Sequence, residues 1–392
     1  MIRRSFSFFA ALCCAVASDA QALVEHHLFT GMDGIHLTAG GGEIPIWGYG
    51  WAEDEFITLP APLLSCMQGD SVRVQMDNPS PESHTIHWHG LDVNQANDGV
   101  PSTSFLVPTD SSATYAFLAD HSGTYLYHCH VTTTLHLTMG MYGMFIVERP
   151  DGSLFEGGPV PDAAYPLLFS DLELAVNFNP PGAFPFHDIR PNYFMINGRN
   201  GAQLEAPEAQ MPYNPGETIA LRLGSMAYSR IDVALPSVLG AEVVMSDGRP
   251  VEPWSPDTLS IYPGERFTVV FEVPAFGWND EIACDFVMMA DNLYEQTQTL
   301  HFNNLQSSVS QAPVPQAVLS PNPTRGMLNI VLPKGWQGPW VLCDLAGRQV
   351  RQGVVGEGQT QLHIDLSREP AGTYLFRGIN GLQSRVILLP ER

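Results

Sequence analysis

The chain has 392 residues, including 32 prolines and 35 glycines, and a formal net charge of −23 with a single lysine, Lys334. Such a length exceeds one ordinary core and predicts two or three domains, and the abundance of turn-formers argues against helical bundles and for short strands. A surface this acidic repels phosphate backbones, so nucleic acid is not an expected partner.

The first residues read as an address. Arg3 and Arg4 precede an apolar run from Phe6 to Val16, and Ala20-Gln21-Ala22 places small residues at the two positions that define a cleavage site. A secretory signal peptide over residues 1–22 is expected. The run is too short to span a bilayer, and no later segment is longer and as apolar. No membrane span is expected, and the mature protein should be exported. Cys13 and Cys14 leave with the signal. Of the four remaining cysteines, Cys129 reads as a ligand, and Cys66, Cys284 and Cys343 as buried, unbridged residues.

From 23 to 152 the pattern is all-β. Phe56–Leu59, Ser71–Met76, His84–His89, Ser112–Phe117, Gly123–His130 and Met144–Val147 are short runs divided by turn clusters such as Asn78-Pro79-Ser80-Pro81, which predicts an antiparallel sandwich. Residues 160–305 repeat the rhythm, with strands expected at Leu167–Leu172, Tyr193–Ile196, Thr218–Leu223, Ile231–Leu235, Leu259–Tyr262 and Phe267–Val273. Gly69, Gly216 and Gly264 each stand before a strand, a weak internal repeat. A polar, proline-containing linker over 306–316 leads to a small β-sandwich over 317–392.

Two stretches carry the chemistry. His84-Thr85-Ile86-His87-Trp88-His89-Gly90 supplies three histidines, and Tyr127-His128-Cys129-His130 is followed by His136 and Met141. Successive strand side chains face opposite ways. His128 and His130 therefore oppose Cys129, and His84, an odd number of residues before His87, opposes His87 and His89. The economical arrangement puts His84 with Cys129 on the inner face, completed by His136 and Met141 from the loop after the strand. A thiolate, two imidazoles and a weak axial thioether form the ligand set of a type-1 copper site. His87, His89, His128 and His130 converge on the outer face, where they suit copper or zinc with positions left open for water or dioxygen. Cys129 with its neighbours His128 and His130 would link the two sites for electron transfer.

These two motifs, with Asn97-Asp98-Gly99-Val100-Pro101 and Gly123-Thr124-Tyr125-Leu126-Tyr127, resemble the multicopper oxidases. The second repeat extends the likeness through Ile196-Asn197-Gly198-Arg199, Asp247-Gly248-Arg249-Pro250 and Pro263-Gly264-Glu265-Arg266. The resemblance implies an all-β fold of two cupredoxin-like Greek-key β-sandwiches followed by a small C-terminal β-sandwich. It further implies His84, Cys129, His136 and Met141 as type-1 copper ligands, and His87, His89, His128 and His130 as half of a type-2/type-3 cluster that reduces dioxygen. The electron donor would be a small molecule or a redox protein. The other half is not visible, because the second repeat reads Met226-Ala227-Tyr228-Ser229-Arg230 where a copper-binding repeat would carry His-x-His. A copper-dependent homo-oligomer, two first domains meeting face to face, is the expected remedy. The alternatives are a blue-copper electron carrier or copper-binding protein with a degenerate outer site, and nitrite-reductase-like activity.

The C-terminal unit, through Pro321-Asn322-Pro323 with Gly326, Asp344-Leu345-Ala346-Gly347-Arg348 and Pro370-Ala371-Gly372-Thr373-Tyr374, resembles the sorting domain of the type IX secretion route. This implies the secretion machinery as a partner and passage across the Gram-negative outer membrane, ending on the cell surface or outside the cell.

Overall fold

The computed structural model describes residues 22–52, 56–186, 188–274, 278–305, 317–320, 324–332, 336–344, 349–356, 358–370, 372–378 and 383–388. Signal residues 1–21, His187, the linker 306–316, Pro321-Asn322-Pro323 and Leu345–Arg348 lie outside them. The chain divides into two compact units, residues 1–305 and 306–392.

The first sandwich contains β1 (Leu23–Leu37), β2 (Glu43–Trp51), β3 (Leu64–Met67), β4 (Ser71–Asn78), β5 (His87–His89), β6 (Ser111–Leu118), β7 (Gly123–His128), helix α1 (Thr133–Met139) and β8 (Tyr142–Glu148). One four-stranded sheet runs β2-β1-β4-β6 and the other β3-β8-β7-β5. Alternation selects their inner faces: Val72, Val74 and Met76 of β4 are buried between exposed Arg73 and Gln75. They meet Trp88, Tyr115, Tyr127 and Phe145 in the core. Each large apolar side chain so buried contributes roughly 1.5–3 kcal/mol.

Strand β7 departs from alternation, since all six of its residues are buried. One face, Tyr125 and Tyr127, fills the first core. On the other face Leu126 joins Tyr142, Met144 and Ile146 of β8 against Leu168, Leu172, Met195 and Met226 of the second sandwich. The strand that ends at the chemistry-bearing residues is thus clamped from both sides.

Three sequence expectations change here. Phe56–Leu59 is irregular rather than a strand; Pro60 and Pro62 just beyond it lack the N–H a ladder needs, while Ile57 and Leu59 plug the seam between the sandwiches. Only His87–His89 of the first histidine stretch pairs with β7, and His84 makes an isolated bridge to Val107. His136 lies on α1 rather than in a loop. Cys66, Cys284 and Cys343 are buried and free.

The second sandwich contains β9 (Ala163–Leu172), helix α2 (Leu174–Phe178), β10 (Tyr193–Ile196), β11 (Met211–Tyr213), β12 (Thr218–Ser225), β13 (Arg230–Ala234), β14 (Glu242–Ser246), β15 (Arg249–Trp254), β16 (Thr258–Ile261), β17 (Arg266–Glu272), β18 (Glu281–Val287) and β19 (Tyr294–Asn304). Its sheets, β10-β9-β12-β17-β14-β15 and β11-β19-β18-β13-β16, enclose Phe169, Leu221, Ile231, Phe271 and Phe286. In the C-terminal unit the described strands between Val318 and Leu388 form a three-stranded and a four-stranded sheet around Leu328, Ile330, Leu342 and Phe376. Among the described residues no helix is long and apolar enough to cross a membrane.

Candidate metal centre

Cys129 stands just past the end of β7, with its amide held by the Met141 carbonyl at 3.1 Å. The chain between them turns through Thr132, whose left-handed φ of 41° starts α1. One helical turn then carries His136 back over the cysteine. The Met141 amide donates to the His136 carbonyl at 3.0 Å, and Met141 is fully buried in the same core. Across the sheet, Tyr49 Oη donates to the Thr85 carbonyl at 2.5 Å, and the Ile86 amide donates to Tyr115 Oη at 2.8 Å. These bonds fix the segment that carries His84.

The result is a compact donor set. Cys129 Sγ lies 3.1 Å from His136 Nδ1 and 3.7 Å from His84 Nδ1, and all three residues are buried. Two ligands held about 2.0–2.3 Å from one ion at a near-tetrahedral angle sit about 3.3–3.5 Å apart, so the spacing fits a shared metal. Burial, and secondarily His136, pushes the His84 pKa down to about 3, which keeps that imidazole neutral and able to ligate. Burial also pushes the Cys129 thiol up, so metal entry must displace its proton. The His136 ring meets Trp47 edge-on at 5.5 Å. Its Nε2 has Glu82 Oε2 at 3.5 Å, the outer limit of a hydrogen bond, and that carboxylate is half exposed.

On the opposite face of β7 a second set forms. Donor atoms of His87, His89 and His128 all lie within 4.8 Å of one another. His87 Nδ1 is engaged by the Asp98 carbonyl at 2.8 Å, which leaves Nε2 for a ligand, the usual way a metal-binding tautomer is fixed. That carbonyl can approach because residue 99 is glycine: at φ +74°, a Cβ there would stand 1.8 Å from the Ile86 oxygen. His128 Nδ1 is likewise engaged by the Cys129 carbonyl at 3.0 Å, and its Nε2 lies 3.3 Å from His89 Nδ1. Burial lowers the pKa of His128 to about 3, and burial with the nearby Arg266 charge lowers that of His89 to about 4. Both imidazoles are neutral at ordinary pH, the form that can bind a metal.

His130 packs beside this trio without sharing its donor cluster. Its ring centroid is 5.3 Å from that of His87 and 6.0 Å from that of His128. Its Nδ1 faces Thr133 Oγ1 at 3.5 Å, and its amide donates to Thr85 Oγ1 at 3.0 Å. Nor is the outer face fully open. A cavity of about 190 Å³ is lined on one side by His89, His128 and Leu137, and on the other by Met226, Ala227, Tyr228, Pro263 and Gly264 of the second sandwich. That sandwich therefore covers part of the histidine face itself, because the apolar backs of β7 and β8 dock on it. Sequence reasoning missed Glu82, Asp98 as the partner of His87, and Arg266. Asp98 and Arg266 stood in the segments Asn97–Pro101 and Pro263–Arg266 that carried the resemblance, but without a role attached to either.

Two family models described as multicopper oxidase match residues 57–152 and 173–312, and one described as a secretion system C-terminal sorting domain matches residues 319–387. The chain is 27% identical over 259 residues to copper resistance protein A of Escherichia coli, covering 55% of this chain and 42% of that protein. It is 29% identical over 239 residues to laccase-1 of Cryptococcus neoformans, covering 54% and 37%. The match thus spans about two-fifths of the length of these curated relatives. The structure resembles the blue copper oxidase from Nitrosomonas europaea with a TM-score of 0.57 at 27% identity, covering 74% of this chain and 92% of that one.

Proposed function

Because the chain belongs to the multicopper oxidase family and carries a secretion sorting domain, we propose that it is an exported copper-dependent oxidoreductase that uses electrons from a reductant to reduce dioxygen. Copper would supply one-electron redox chemistry at the inner set and dioxygen chemistry at the outer one. His84, Cys129, His136 and Met141 are assigned to the inner ion. The observation that carries the reading is the back-to-back placement on one strand end: Cys129 Sγ joins two imidazoles on one face, while His128, its sequence neighbour, joins two on the other. The Cys129 carbonyl also accepts the hydrogen bond from His128 Nδ1, so a covalent and hydrogen-bonded path connects the two sets.

Each residue has a separable task. Thr85 ties the first histidine stretch to the His130 amide just past β7, and Tyr115 of β6 holds it at the Ile86 amide. Asp98 fixes the ring of His87. Glu82, half exposed against the Nε2 of buried His136, marks where a small-molecule or protein donor comes nearest the inner ligands. Oxygen uptake by the copper-loaded protein with a one-electron reductant tests the reading, with chelated protein as control. Uptake only in the loaded form is expected; a loaded protein that is reduced but consumes no oxygen would leave an electron carrier.

The sorting domain is assigned a role in export across the outer membrane. Residues 306–392 are a compact unit of their own, so deleting them should leave copper loading per chain unchanged while abolishing appearance of the protein outside the cell. Metal analysis and cell fractionation check the two halves.

A further inference from the structure

The outer histidine face offers few donors and one unexpected charge. Among the described His, Cys, Asp and Glu residues, the donors that converge there within 4.8 Å of one another are those of His87, His89 and His128 alone. His130, which shares their strand parity, packs on His87 and His128 but its donor atoms fall outside this cluster. The facing wall of the second sandwich, Met226, Ala227, Tyr228, Pro263 and Gly264, brings no imidazole and no carboxylate.

Arg266 closes the same corner. It is almost fully buried, and it fills the space that Gly90, next to His89, leaves free: a Cβ on Gly90 would stand 2.1 Å from Arg266 Nη2. Its Nη1 donates to the Gly264 carbonyl at 2.7 Å and meets Asp247 Oδ1 at 2.9 Å, and its Nε is buried without a partner. A buried guanidinium beside His89 adds positive charge where further cations would have to sit. Closely spaced divalent ions repel one another and require several donors each.

We propose that the outer site is mononuclear: a single copper held by His87, His89 and His128, with its open position facing the carbon-lined cavity, which suits a ligand as small and apolar as dioxygen. His130, whose ring packs on His87 and His128 but whose donor atoms fall outside their cluster, is then not a ligand of that ion. This deepens the copper-oxidoreductase reading and rests on it for the identity of the metal, but the number of ions is measured separately from activity.

The test is copper content per chain together with the spin count of the fully oxidised, Cu(II)-loaded full-length protein by electron paramagnetic resonance. Two coppers per chain, both visible to resonance, are expected. His128→Ala should lower the content to one, and His130→Ala should leave it at two. Three or four coppers per chain with a resonance-silent fraction would overturn the proposal, since a silent pair requires ligands from another copy of the chain. So would a content of one in the wild type, or loss of the second copper in His130→Ala. Absence of oxygen uptake would count against the oxidase reading and leave the ion count standing.

Discussion

Replacing Cys129 with serine should remove the intense visible absorption of the copper-loaded protein, lower its copper content by one ion per chain, and reduce donor-driven oxygen uptake to background. Its thiolate is the sulfur that the structure places against both inner imidazoles, with Sγ 3.1 Å from His136 Nδ1 and 3.7 Å from His84 Nδ1. A hydroxyl there is a poor ligand for a soft ion. The fold should survive, because serine is smaller than cysteine and the backbone bond from the Cys129 amide to the Met141 carbonyl does not involve the side chain. Burying a hydroxyl without a good partner costs about 1–3 kcal/mol. Absorbance, metal analysis and thermal melting of the metal-free protein separate these effects. Retained colour would refute the role of Cys129. Met141→Leu is the contrasting case: an axial thioether only tunes the site, so colour should remain while the reduction potential rises.

His128→Ala should have the opposite signature. Its side chain lies on the other face of β7 from Cys129, within the outer trio, so colour and inner copper should persist. Oxygen uptake should nevertheless fall to background. Added reductant should bleach the colour, and air should fail to restore it, because electrons would enter the inner site and find no outer metal. The measurement is the rate of colour return after anaerobic reduction and exposure to air, wild type against variant. Full recovery in the variant would show that the outer histidines are not where dioxygen reacts. Some loss of stability is expected too, since His128 is buried and its Nδ1 bond to the Cys129 carbonyl would be lost, at about 1 kcal/mol for such a bond.

The sequence by itself determined the features that depend only on strand period and donor chemistry. A strand alternates every two residues whatever surrounds it, so the opposition of Cys129 to His128 was readable before any contact was known; His84 does oppose His87, but from an isolated bridge outside β5. Donor types named the class of metal, and Gly-Thr-Tyr-Leu-Tyr announced a strand. The features it left undecided depend on packing between parts distant in the chain. The helical return of His136 rests on the left-handed turn at Thr132, and which of the four outer histidines bring their donor atoms together was not readable from parity, since His130 shares the face but not the cluster. The irregular path of Phe56–Leu59 reflects prolines 60 and 62 and the need to plug the seam between sandwiches. The cover over His89 and His128, and Arg266 filling the space that Gly90 leaves, arise only when β7 and β8 dock on the second sandwich. Local backbone geometry is written residue by residue. The number of ions a face can hold is set by what the rest of the fold presses against it, and that is a property of tertiary structure alone.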